Sequence, residues 1–128
     1  KIGDINKTVL SDSKWLEFII NQIVSNSIKY RGKENCKISF NVIKKENIIL
    51  EIIDNGIGID QTDIKHVFDK SFTGNNGRLV SSSTGMGLYI SKLLCDKLGH
   101  KIMIESKVQQ YTKVSICFED EEYYRIVR

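Results

Sequence analysis

Proline is missing altogether from these 128 residues, and that absence points to no particular function. Long apolar runs are missing too. None approaches the ~20 residues that a membrane-crossing helix needs, and no signal-peptide pattern opens the chain. The first residue is Lys1 rather than Met, which predicts a piece of a longer protein; the lack of a membrane segment therefore describes the piece and not its parent. Charge of one sign is also scarce. Nineteen Lys and Arg stand against sixteen Asp and Glu, a formal net charge of +3, and the cations are interleaved with the acids, so no basic stripe argues for nucleic acid. Cysteine is limited to Cys36, Cys95 and Cys117. These have no metal-ligand spacing and read as small buried apolar residues in a reducing compartment.

What remains is ordinary in bulk: 41% hydrophobic and 27% charged residues, suited to one globular domain over 1–128 with one core. An extended segment is expected around Asn6–Leu10. Ser11 or Ser13 offers a helix cap, with Glu17 inside the first turn, and helical periodicity runs from Lys14 to Tyr30 with Gly32 at its end. Lys37–Ile43 and Ile48–Ile53 read as a hairpin joined by polar residues. Asp60 can cap a short helix to about Phe68. A loop rich in Gly, Asn and Ser follows from Asp69 to Thr84; loops this long are usually functional or disordered. A second long helix is expected over Met86–Leu98, closed by Gly99, then strands over Lys101–Lys107 and Lys113–Phe118. That order predicts a mixed sheet with helices on one face.

Three places carry chemistry. At 100° per residue, Leu16, Ile19, Ile20, Ile23, Val24 and Ser27 form the apolar stripe of the first helix, and Gln22, Asn26 and Lys29 fall within about 60° of one another along its edge. Asn26 offers a neutral carbonyl oxygen of the kind Mg²⁺ accepts beside phosphate oxygens. Lys29 can pair with a phosphate, and Tyr30 can stack on a base; a plain solvated helix shoulder is the simpler alternative. Next, Asp54-Asn55-Gly56-Ile57-Gly58-Ile59 follows an apolar strand. A carboxylate there needs partners, either an adenine amino group or nearby backbone N–H groups in a tight turn. Finally, Thr84-Gly85-Met86-Gly87-Leu88 opens the last helix, where backbone amides favour anions; many helices begin in such turns. It is neither the Walker loop nor the dinucleotide fingerprint. Phe68 and Phe72 flank the start of the loop and can anchor it to the body, with core packing the simpler role for Phe68; Lys70 and Arg78 can reach phosphates from the loop, with a solvent-exposed charge the simpler alternative.

In this order and spacing, Gln-x-x-x-Asn-x-x-Lys-Tyr, Asp-x-Gly-x-Gly and Gly-x-Gly-Leu resemble the catalytic ATP-binding domain of sensor histidine kinases, over roughly Trp15 to Phe118. Trp15-Leu16-Glu17-Phe18-Ile19 and Ser83-Thr84-Gly85-Met86-Gly87-Leu88-Tyr89 look most like the bacitracin-resistance branch. The resemblance implies a Bergerat-type α/β sandwich with a mostly antiparallel mixed sheet. It implies ATP and Mg²⁺ as ligands, with Asn26 on the metal, Asp54 on the adenine amine, Tyr30 beside the base and Lys29 toward the phosphates. Gly56, Gly58, Gly85 and Gly87 shape the pocket, with Ile59, Phe68, Thr84, Met86 and Leu88 around it and residues 69–84 as the lid. It implies an upstream dimerisation domain carrying the phospho-accepting histidine, a response regulator receiver domain as partner, and a homodimeric, membrane-embedded parent with this domain on the cytoplasmic side. Gln22 stands where most of the family has Asn and hydrolysing relatives have Glu; an amide is no general base, which favours transfer over hydrolysis. His66 and His100 have no carboxylate in sequence context and read as structural or surface residues. The competing expectations are a nucleotide-binding signalling module without transfer, and an ATPase or anti-sigma serine kinase of the same fold.

Overall fold

The computed structural model describes residues 12–70 and 86–119. The expected extended segment at 6–10, the loop positions 71–84 and the tail beyond 119 lie outside them. Helix α1 spans Ser13–Lys29, and a β-hairpin follows, β1 over Ile38–Lys44 and β2 over Ile48–Asp54. A one-turn helix, α2, covers Gln61–Ile64. Helix α3 covers Gly87–Leu98, and a second hairpin has β3 over His100–Lys107 and β4 over Tyr111–Phe118.

Local chemistry corrects several expected boundaries. The cap of α1 is neither serine: Ser13 is already helical, Ser11 is outside the described residues, and Asp12 accepts the Trp15 amide on its carboxylate at 2.9 Å. A carboxylate is the stronger acceptor there, and its charge suits the positive end of the helix. Glu17 consequently lies beyond the first turn, which holds no acid. At the other end Tyr30, not Gly32, is the C-cap, its amide returning to the carbonyls of Asn26 and Ile28. Asp60 caps α2 as expected, accepting from the amide and hydroxyl of Thr62, and these bonds hold its carboxyl below the usual range. The helix is shorter than expected, however. Beyond Ile64 the chain continues to Asp69 in turns closed by bonds three residues back, such as Asp69 N to His66 O at 2.9 Å.

The strands form one sheet in the order β1-β2-β4-β3, and every pairing among the described residues is antiparallel, in keeping with the mostly antiparallel sheet expected. Register follows the alternation of apolar residues. One face presents three transverse rows, Phe40–Ile52–Val114–Ile104, Val42–Leu50–Ile116–Ile102 and Lys44–Ile48–Phe118–His100. Against them pack Ile19 and Ile23 of α1 and Cys95 of α3, closing a core whose members Ile19, Cys95 and Ile116 expose nothing. The predicted stripe of α1 is thus its buried face, centred on Ile19, Ile23 and Ser27. His100 is buried in the last row, its ring edge-on to Phe118 with centroids 4.7 Å apart.

The opposite face is half-open and charged. Lys113 reaches Glu51 at 3.5 Å and Glu105 at 3.7 Å, across three strands, and the Tyr111 hydroxyl donates to Glu105 at 2.6 Å. That bond, then Lys113, holds the Glu105 carboxyl below its ordinary value, and Glu105 in turn raises the Tyr111 phenol.

Of the three cysteines, Cys95 and Cys117 are buried as expected, but Cys36 is exposed. Burial pushes the Cys95 thiol up to about 11 and also raises that of Cys117. The raised folded values favour the neutral thiol. Their contribution to stability is therefore complete below the unfolded thiol value of about 8.5 and is lost as pH climbs through the folded value. Because the thiolate is the nucleophile, a thiol reagent at pH 8 should label Cys36 rapidly and spare the other two until guanidinium unfolds the chain. Rapid labelling of all three in native protein would contradict this packing.

Candidate functional site

The apolar face of the sheet ends in a row of another kind. Asp54 of β2 pairs with Thr112 of β4, and Thr112 with Ser106 of β3. Directly paired residues share a face, so a carboxylate and two hydroxyls stand side by side where the next row is wholly apolar. Asp54 is only 8% exposed, and burying its charge is costly unless its oxygens find donors. Two do. The Ser27 hydroxyl, on the core face of α1, donates to Oδ2 at 2.7 Å, and the Gly56 amide donates to Oδ1 at 2.9 Å. Of the two expected kinds of partner, the backbone turn is present and satisfies Asp54 in part. A carboxylate offers about four lone-pair sites, so capacity remains for a ligand amine.

The segment after Asp54 is gripped on two sides. Toward α1, the Ile57 amide donates to the Tyr30 carbonyl at 3.0 Å. Toward the β3–β4 hairpin, the Gln109 amide donates to the Ile57 carbonyl at 2.7 Å and the Ile59 amide to the Ser106 hydroxyl at 2.8 Å. The Gln61 side-chain amide adds a bond to the Ser106 carbonyl at 3.1 Å. Gly58 sits at φ 75°, and a Cβ there would strike the Lys107 carbonyl and come within 2.9 Å of the Val108 Cα. Only glycine combines that backbone angle with so close an approach. The segment is therefore a fixed strap between α1 and the hairpin.

The ridge of α1 runs beside this strap. Gln22, Asn26, Lys29 and Tyr30 are all half-buried. Lys29 also borders a shallow hollow on the outer flank with Asn21, Val24, Ser25 and Ile28. Gln22 crosses to α3: a Cβ on Gly87 would overlap its Oε1. The N-cap of α3 is Met86, whose side chain makes no capping bond, and the first amide bonded back along the helix is that of Ile90, to the Met86 carbonyl at 2.9 Å. The amides of Gly87, Leu88 and Tyr89 have no acceptor within the helix, and such groups at a helix start attract anions.

The structure thus brings together Gln22 and Gly87 at one point, and Tyr30, Asp54, Gly56, Gly58 and Ile59 at another, with Asn26 on the helix between them. Phe68 is placed otherwise: it packs against the hydrophobic core, the simpler of its two expected roles. Thr84 and Gly85, with Phe72 and Arg78, lie outside the described residues; Lys70 is exposed. His66 does have a carboxylate beside it, contrary to expectation: its Nδ1 lies 3.0 Å from Asp69 Oδ2, at the surface. Sequence reasoning missed Ser27 as a donor, having assigned it to the packing stripe, and missed Ser106 and Thr112 entirely. A polar residue at the end of an apolar alternation in each strand was the available signal. Among the described residues, no group of three or more His, Cys, Asp or Glu is arranged to hold a metal, so a metal here needs ligands beyond such side chains.

The chain belongs to the family of histidine kinase-, DNA gyrase B- and HSP90-like ATPases, whose profile matches residues 11–122. Within that family it resembles sensor kinases. It is 41% identical to the sensor histidine kinase YxdK of Bacillus subtilis over 111 residues, 86% of this chain and 34% of YxdK. It is 41% identical to the sensor protein BceS of the same organism over 113 residues, 88% of this chain and 33% of BceS. These relatives agree with the branch that the wording of α1 resembles, and the chain spans about a third of their length. The fold is that of solved kinase domains. The nucleotide-free catalytic domain of histidine kinase ThkA superposes with a TM-score of 0.70 at 22% identity, covering 91% of this chain and 76% of that one. Full-length ShkA in complex with AMPPNP gives a TM-score of 0.70 at 17% identity, over 91% of this chain and 24% of that one.

Two glycine substitutions separate support from site. Gly58→Ala meets rigid backbone at positive φ and should lower stability by about 1–3 kcal/mol in urea unfolding. Gly87→Ala meets the movable end of Gln22 and should stay within about 0.5 kcal/mol of the parent. Equal losses for the two would contradict the assignment.

Proposed function

We propose that this chain is the ATP-binding catalytic domain of a sensor histidine kinase and passes the ATP γ-phosphate to a histidine on a separate helical domain. The observation that carries this reading is the buried Asp54 carboxylate, held by Ser27 and Gly56 with acceptor capacity to spare, in a domain whose α3 start has amides without helical acceptors. Asp54 takes the adenine amino group, Tyr30 lies beside the base, and the strap from Gly56 to Ile59 walls the pocket. The first-turn amides of α3, with Thr84, Gly85 and Lys29, meet the phosphates.

Asn26 would hold Mg²⁺ through its amide oxygen, a neutral, hard ligand of the kind this ion accepts. When bound, the ion neutralises charge on the phosphates. In the transfer, a ring nitrogen of the acceptor histidine forms the N–P bond while the bond from Pγ to the bridging oxygen breaks, and ADP leaves. The protein contributes positioning and charge rather than a base. Gln22 fits that division: its amide orients but does not take up a proton, so water is not activated. Neither histidine of this chain serves as acceptor in this reading, since His66 is paired at the surface with Asp69 and His100 lies in the core. The acceptor belongs to a dimerising helical domain, the parent is a membrane-embedded homodimer with this domain on the cytoplasmic side, and the phosphate passes on to an aspartate of a response regulator.

Calorimetric titration tests the reading directly. ATP should bind in a Mg²⁺-dependent manner, and Asp54→Ala should weaken it by about 10- to 100-fold, the loss expected for a charged hydrogen bond. Binding by the folded variant at parental strength would remove Asp54 from the pocket, and no Mg²⁺-dependent binding by the parent would overturn the whole reading.

A further inference from the structure

The hydroxyl of Ser106 has more neighbours than an idle strand residue needs. Ser106 is 6% exposed, yet its Oγ accepts the Ile59 amide at 2.8 Å, lies 2.7 Å from the Tyr111 carbonyl oxygen and 2.8 Å from Thr112 Oγ1. A serine hydroxyl has one proton and two lone pairs. The Tyr111 carbonyl has no proton to give, so a contact of 2.7 Å between the two oxygens requires the proton of Ser106. The Ile59 amide occupies one lone pair. The remaining lone pair must receive the proton of Thr112. Ser106 is then saturated, and Thr112 has spent its only donor.

The consequence falls on the ligand side of the row. Thr112 stands directly across from Asp54, and with its proton committed it has only lone pairs left to offer. Asp54, donated to by Ser27 and Gly56, has only lone pairs as well. Two acceptor side chains on directly paired residues of one sheet face match an exocyclic amine and mismatch a carbonyl oxygen. We propose that Ser106 is a positioning residue for base selection: by fixing the hydroxyl of Thr112 as an acceptor beside Asp54, it makes the site discriminate 6-amino from 6-oxo purine nucleotides. This rests on the reading of the site as an ATP pocket. Ser106 touches no nucleotide in this account; it acts through Thr112 and through the Ile59 amide.

The probe pair is ATP and inosine triphosphate, which differ at the 6-position of the base and in the proton that N1 consequently carries. Both are titrated calorimetrically into the whole chain with Mg²⁺, and the ratio of the two dissociation constants is the readout. The parent should prefer ATP. In Ser106→Ala the Thr112 hydroxyl is free to turn and donate to a 6-oxo group, so the preference should narrow by about tenfold, the worth of one hydrogen bond changed from mismatched to matched. Ser106→Thr retains the hydroxyl and should keep the preference. A merely structural role would weaken both nucleotides by one factor and leave the ratio alone. That result, or an unchanged ratio in folded Ser106→Ala, overturns the proposal. Should Ser106→Ala fail to fold, Thr112→Val puts the same question, because it removes the second acceptor without touching the bonds of Ser106 to Ile59 and Tyr111: a narrowed ratio supports the proposal and an unchanged one overturns it. Failure of the parent to bind ATP is a different outcome, since it removes the pocket itself.

Discussion

A single buried carboxylate organises this domain. Asp54 closes the apolar face of the sheet, and its charge is tolerated there only because donors arrive from two directions. One comes from α1, twenty-seven positions earlier, and the other from the turn two residues later. Meeting both requires the helix to lie over the sheet in one rotational setting and the Gly56–Ile59 strap to leave the strand at one angle. Removing either donor would strand part of a buried charge, an arrangement that costs far more than an ordinary hydrogen bond contributes. The geometry of the site and the stability of the fold are therefore aspects of one constraint.

The supporting contacts divide by what they hold. The apolar rows and the stripe of α1 fix the helix against the sheet and are indifferent to ligand chemistry. The hairpin between β3 and β4, remote in sequence, fixes the strap through the bonds of Ile59 and Gln109 and the close seat of Gly58 against Lys107. Gln22 against Gly87 joins the ridge of α1 to the start of α3. In the proposed reading, base recognition and phosphate recognition thus belong to different parts of the chain, linked through the body of α1.

How much of this could be read beforehand follows from the range of each interaction. The alternation in Ile48–Ile53, the 3.6-residue period of α1 and the glycine-bearing turns are local patterns, and the hairpins, the helix face and the need of Asp54 for partners were legible from them. The order of Gln22, Asn26, Asp54 and Gly87 supplied the family. The donor role of Ser27 was not legible, because at its position a small polar residue looks like a tolerated member of a packing stripe. Ser106 and Thr112 showed only as polar residues at the end of an apolar alternation: Thr112 becomes a neighbour of Asp54, and Ser106 of Thr112, only once the register of three strands is set. The Asp12 cap was missed through competition among three adjacent capping residues, which local preference alone does not resolve. The strand order β1-β2-β4-β3 needed the pairing partners, which no single strand encodes.

The bond between Ser27 and Asp54 has one more implication. Ser27 is next to Asn26 in the chain and just over one helical turn beyond Gln22. Pinning Ser27 to the sheet sets the phase of α1, and every residue on the ridge is then at a set height from the base-reading end, advancing ~1.5 Å per residue toward the N-terminus. Gln22 stands five residues, or about 7.5 Å, along that scale. In the proposed reading the helix acts as a ruler whose zero mark is the buried carboxylate, so that the span between the base and the reacting phosphate is graduated in the protein before any nucleotide arrives.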